Sequence, residues 1–144
     1  MRTERMPDPA DLVPGAAEAL AALNRAVRAT GLDERLVALC QLRASQINGC
    51  AAGVARAAMG VPEMDLKLAV TAWRDTPRFA PAERAALALT EAVTTLGPDP
   101  VPDRVWDAAA THFDQKELAA LLIGIAVTNA ENRIDTSTRR QPAS

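Results

Sequence analysis

Helix-ending and helix-starting residues punctuate this chain at short intervals, and between them apolar side chains recur every three or four positions. Few folds suit that pattern. A helix fits Ala16–Ala29, with Leu20, Leu23 and Val27 on one face and Gly31 just past the end. Asp33 can cap a second helix over 33–47, whose apolar stripe is Leu36, Leu39, Cys40 and Ile47. Asn48-Gly49 breaks it, and a third helix runs from Cys50 to Met59-Gly60. Pro62 suits the first position of a fourth, reaching about Arg74 with Leu66, Ala69, Val70 and Trp73 inward. Pro81 opens a fifth over 81–96, with Ala85, Leu89, Val93 and Leu96 on one face, stopped by Gly97-Pro98-Asp99-Pro100. A short helix fits Asp103–Thr111. The last starts at Asp114, with Glu117 in capping-box register, and continues to about Ile134. Its run 118–127 is apolar on most faces, which predicts a central helix or a subunit interface, and Gly124 would allow close approach of a neighbour.

Composition supports an all-α fold. Alanine is abundant, and aromatic residues amount to 3%: Trp73, Trp106, Phe79 and Phe113. So few rings exclude a base-stacking platform, and a net charge of −2 argues against nucleic acid as a partner. At 144 residues the chain suits a single domain over 15–135, with an extended lead-in over 1–14 and a loose polar tail over 136–144. Two cysteines are too few for a disulfide scaffold, the N-terminus lacks the apolar core of a signal peptide, and the longest apolar run is about half a membrane span. A cytoplasmic protein without membrane contact is expected.

Standard catalytic signatures are absent: no phosphate-binding glycine loop, no Gly-x-Ser-x-Gly, and a lone His112 far from either cysteine. Neither a metal nor a cofactor is expected. Glu83, Glu91, Glu117 and Glu131 read as solvated helix faces or caps.

One stretch carries more. Residues 36–59, LVALCQLRASQINGCAAGVARAAM, resemble the carboxymuconolactone decarboxylase/AhpD-like (alkylhydroperoxidase D-like) superfamily, most closely over Leu42–Cys50. Trp73-Arg74, Phe79 and Glu83–Val93 resemble the next family segment; His112-Phe113, Glu117-Leu118 and Asn129–Arg133 resemble the last. The resemblance spans about residues 16–134 in order. It implies an all-α fold built around a helical hairpin, and a homo-oligomer: dimer, trimer or hexamer.

Redox-active members of that family use a Glu, a Cys-x-x-Cys and a His four residues after the second Cys. On a helix, positions i, i+3 and i+7 share a face, so two thiols can pair and the imidazole can move their protons. A helix N-terminus also favours the thiolate. Carried onto this chain, the first thiol falls on Cys50, but the second falls on Gly53, the histidine on Ala57 and the glutamate on Ala38. Three of the four positions are small and non-titrating, so a dithiol cycle is not expected. Gly53 weakens its helix by roughly 1 kcal/mol relative to alanine, so something else specifies it. Either a side chain from a neighbouring helix or subunit fills the space, or a ligand does.

Cys50 is therefore a candidate lone thiol, and Ala38, Gly53 and Ala57 are candidate pocket lining. Arg43 is either paired with a carboxylate or an anion partner, as is Arg56 on a decarboxylase-type reading. Gln46 and Asn48 either contact a ligand or turn the chain. Cys40 and Trp73 read as core, and His112 as a helix-end imidazole. Three functions fit these residues: a peroxidase-related protein in which an external thiol resolves a Cys50 sulfenic acid, a non-redox enzyme acting on a lactone or decarboxylating, and an inactive oligomeric scaffold or small-molecule binder.

Overall fold

A computed structural model describes residues 3–143, and among them every regular element is helical. α1 is Pro9–Leu12, α2 Ala16–Ala29, α3 Glu34–Ile47, α4 Ala51–Ala58, α5 Met64–Ala69, α6 Pro81–Thr94, α7 Asp103–His112 and α8 Gln115–Thr138. A 3₁₀ segment, Val70–Asp75, follows α5. Helix starts follow the local chemistry. The Asp33 carboxylate accepts the Arg35 N–H at the head of α3, and Asp114 and Glu117 exchange reciprocal hydrogen bonds at the head of α8. Gly31 and Gly49 adopt positive φ where α2 and α3 give way to turns.

The hairpin α3–α4 lies at the centre, with α8 packed across it and against α2, α6 and α7. Helix α3 separates two apolar clusters. Leu36, Val37 and Cys40 join Val27, Leu89, Leu121 and Ile125 on one side. Ala38, Leu39 and Leu42 join Val61, Val70, Trp73, Phe79 and Leu87 on the other. Leu118, Leu121, Ile125 and Val127 in the apolar run of α8 accordingly face the core, whereas Ile123 is exposed. A Cβ at Gly124 would meet Val27 and Val37 only at ordinary contact distance, so close approach is not what requires the glycine.

Four expectations need correction. The lead-in is not wholly extended: Asp8 caps α1, with Pro9 at its first position. The helix expected over 62–74 starts at Met64 and breaks near Ala72, where the backbone leaves the helical region; the turn lets Trp73 bury its ring and donate from Nε1 to Glu91 at 2.8 Å. Leu23 and Leu96 are exposed rather than inward. Helix α8 runs to Thr138, beyond the expected end, because Asp135 and Thr138 are buried and Arg5 donates its backbone N–H to the Thr138 carbonyl. Much of the tail read as loose is therefore tied down; Ser144 lies outside the described residues. No helix among those residues is long and apolar enough to cross a membrane.

Candidate functional site

The turn between α3 and α4 places the candidate thiol. Asn48 caps α3, Gly49 reverses the chain at φ 62°, and Cys50 becomes the N-cap of α4. Its sulfur accepts the Gly53 N–H at 3.3 Å, and its backbone N–H binds the Ser45 carbonyl. The thiol thus occupies a capping position, where it takes up one of the free N–H groups at the helix start. Cys50 is only 2% exposed.

Helix α8 closes the other side of this turn with polar side chains. Asn132, fully buried, donates to the Ser45 hydroxyl at 3.1 Å and accepts from Asn48 at 3.0 Å. Asn129 also accepts from Asn48 and donates to Thr94. Lower on the same helix, Glu131 and Asp135 hold the Arg56 guanidinium at 3.1 and 3.0 Å. Burial works against the Arg56 charge, but the hydrogen bond from Arg56 to Asp135 and the charges of Asp135, Glu131 and Cys50 outweigh it and raise the pKa.

These neighbours explain Gly53. A Cβ there would lie 2.4 Å from Asn132 Nδ2 and 2.6 Å from Ser45 Oγ. The neighbouring helices fill the space, so position 53 has no room for a second thiol. Cys40 offers no substitute: it is buried in the apolar cluster, and burial pushes its thiol up to about 12, against a smaller opposing effect of a Thr90 hydrogen bond.

Space opens instead one turn away, at the other two substituted positions. Ala38 and Ala57 line a cavity of about 470 Å³ between α2, α3, α4 and α8. Val27, Val37, Ser45 and Thr128 form its buried floor, the half-buried Asn24 and Gln41 also line it, and Arg25, Arg28, Arg56, Glu34 and Glu131 stand around its mouth. Gly53 contributes backbone to the wall, whereas Cys50 is not among the lining residues. The pocket expected beneath the thiol is thus displaced towards Ala38 and Ala57.

Three candidate binding residues sit elsewhere. Arg43 pairs with Glu91 at 3.0 Å and donates to Gln46 at 3.4 Å, outside the cavity. Asn48 is spent on Asn129 and Asn132. Glu91 is no free solvated carboxylate: it accepts from Arg43, Trp73 and Arg74. Burial disfavours its charge, but those three donors more than offset this and lower its pKa. His112 ends α7, away from the cavity. Thr128, Ser45, Arg25 and Arg28 were not singled out from the sequence. The spacing Thr128, Asn132, Asp135 was the available signal, a polar continuation of the face that begins with Leu121 and Ile125.

An all-α fold, with a helical hairpin that carries one thiol at a helix N-cap and small residues at the remaining redox positions, defines an AhpD-like protein. Residues 14–92 match the carboxymuconolactone decarboxylase family, and the chain belongs to that family. It is 26% identical to the uncharacterized protein YdfG of Bacillus subtilis over 93% of this chain and 94% of that protein. It is 33% identical to the uncharacterized protein YnjA of Escherichia coli, over 74% of this chain but only 60% of YnjA. A crystal structure from Agrobacterium tumefaciens, of a protein of unknown function for which an AhpD-type role in antioxidant defence has been suggested, superposes with a TM-score of 0.89. That pair shares 30% identity over 99% of both chains. The debrominase Bmp8, a cysteine-to-alanine variant of which was crystallised with 2,3,4-tribromopyrrole, shares the fold at a TM-score of 0.78 and 19% identity, over 91% of this chain and 72% of Bmp8.

Proposed function

We propose that this protein is an AhpD-like family member that does not cycle a dithiol, and that its working site is the cavity beside Ala38 and Ala57, which takes a small organic molecule. The observation that carries the reading is the exchange of side chains for space. Positions 38 and 57 hold alanines and border the 470 Å³ cavity, while position 53 is blocked by Ser45 and Asn132. A volume of that size lies within the usual range of ligand pockets. Bmp8, with the same fold, was crystallised with a small heteroaromatic molecule, which is consistent with such a ligand here.

A second reading keeps Cys50 as a lone peroxidatic thiol, favoured by its N-cap position and the Gly53 N–H on its sulfur. One assay separates the two. Consumption of an organic hydroperoxide is followed with excess dithiol reductant, for the native protein and for Cys50→Ser. The cavity reading expects no turnover above buffer from either protein. Turnover present in the native protein and lost in the variant would establish the lone-thiol peroxidase instead. The proposal includes a cytoplasmic homo-oligomer, for which the exposed Met59, Met64 and Leu68 supply apolar surface. Light scattering of the purified chain measures that mass directly.

A further inference from the structure

The chemistry of the cavity floor narrows what it can hold. Thr128 is 7% exposed and lines the cavity, yet its hydroxyl has no hydrogen-bond partner among the described residues. Its neighbours on α8 are all engaged: Asn129, Asn132 and Asp135 each bind a side chain of another helix. Ser45, also on the floor, accepts the Asn132 N–H and finds no described acceptor for its own proton. Buried hydroxyls are ordinarily paired, so one left facing a cavity marks a contact that a ligand can complete. The rest of the floor, Val27, Val37, Ala38 and Ala57, is apolar.

Charge is confined to the mouth. Of its cations, Arg56 is already held by Glu131 and Asp135, and Arg25 and Arg28 lie on the exposed side of α2. Glu34 and Glu131 stand beside them with the opposite sign. Exposed charges of mixed sign contribute little to affinity or selectivity. A carboxylate placed on the floor would meet no uncommitted buried cation, and two hydroxyls with the half-buried Gln41 amide beside them do not offset the loss of its hydration. Volume sets the remaining limit. At about 30 Å³ per water-sized group, the cavity has room for on the order of fifteen.

We infer that the cavity binds an uncharged, largely apolar small molecule bearing one hydroxyl or carbonyl oxygen, which pairs with the Thr128 hydroxyl, with Ser45 beside it. The inference rests on the cavity being the working site. It assigns Thr128 as the residue that selects the oxygen, and it excludes organic acids as preferred ligands.

Three probes of matched size test it: benzyl alcohol, toluene and benzoate, titrated into the full-length ¹⁵N-labelled protein and followed through its amide resonances. Benzyl alcohol should bind at least tenfold more tightly than toluene, with benzoate weakest, and the shifts should centre on Ser45, Gly53 and Thr128. Thr128→Val keeps the side-chain shape and removes only an unpartnered hydroxyl, so it should fold as the native chain does. It should bring benzyl alcohol down to the affinity of toluene and leave toluene unchanged. Ala57→Leu fills the cavity and should weaken both by tenfold or more. Benzoate equal to or tighter than benzyl alcohol overturns the inference, as does an alcohol preference that survives in Thr128→Val, or the absence of shifts with every probe. Failure of the underlying cavity reading looks different: probes bind the native protein, and Ala57→Leu leaves that binding intact.

Discussion

Cys40 and Cys50 stand ten residues apart on one hairpin, and both are almost wholly buried, yet they belong to different kinds of interior. Cys40 sits in a cluster of aliphatic side chains that includes Val37, Leu89, Leu121 and Ile125. Cys50 sits at a helix start, where the nearby side chains of Ser45 and Asn48 at the end of α3 bind those of Asn129 and Asn132 on α8. The first region is held by volume and the second by direction. Dispersion and apolar burial do not discriminate between partners of similar shape. Hydrogen bonds do, because a donor left unpaired in the interior is costly. That difference explains why the polar seam, rather than the apolar cluster, fixes how closely the end of α3 approaches α8.

The largest effects should separate the two regions by their response to truncation. Leu121→Ala, in the Cys40 cluster, should destabilise the fold by about 2–5 kcal/mol through the hole it leaves. Asn132→Ala removes fewer contacts but strands the Ser45 hydroxyl and part of the Asn48 amide, and should cost about 1–3 kcal/mol. Denaturant midpoints measure both. The distinction lies in repair: an apolar residue of similar size at position 132 should recover little of the loss, whereas Leu121→Met should recover most of it. Equal recovery at both positions would abolish the contrast between the regions.

Gly53→Cys gives the next effect and tests the seam from its other face. The substitution writes the missing dithiol spacing back into α4. Removing a helical glycine should gain roughly 1 kcal/mol. Against this, the added Cβ would stand 2.4 Å from Asn132 Nδ2 and 2.6 Å from Ser45 Oγ, two atoms already bound to each other in the interior. Overpacking of this kind typically costs about 1–3 kcal/mol, so a net loss of about 1 kcal/mol is expected, with no gain in hydroperoxide turnover. A more stable variant in which Cys50 forms a disulfide with the introduced thiol would mean that the seam yields readily and that its geometry does not forbid a second sulfur.

These contrasts also mark what the sequence could disclose. Caps and breaks were local, so Gly31 and Asp33, or Asp114 and Glu117, marked where α2 ends and where α3 and α8 begin from a few residues each. The kink near Ala72 was not local: it depends on Trp73 reaching Glu91 on another helix. Gly53 shows the same limit within the site. Its size was legible and suggested space, but the residues facing it come from positions 45 and 132, and the same glycine closes the interior instead of opening it. Alanines at 38 and 57 carried an equal signal and had the opposite meaning, because the helix opposite them contributes Thr128 across a gap. Small residues announce close approach or empty volume alike, and only the opposing surface decides.

The last contrast distinguishes the cysteines by pH. Cys40 has its thiol pushed up to about 12 in the folded chain, first by burial, whereas the unfolded value is about 9.0. Between those values the unfolded chain has released this proton and the folded chain still holds it, so rising pH favours unfolding. The stability lost should approach about 1.4 kcal/mol for each pH unit above 9, and below pH 8 this thiol should have no influence on the pH dependence. Cys40→Ala removes the ionisation along with a little volume, so its denaturant midpoint should start lower but fall less steeply between pH 9 and 10.5. Cys50→Ser keeps Cys40 and should keep the steep fall that the buried thiol causes. Parallel curves for the native protein and Cys40→Ala would show that the apolar cluster opens far enough for hydroxide to reach its thiol, and the contrast with the capped, hydrogen-bonded Cys50 would then reduce to packing alone.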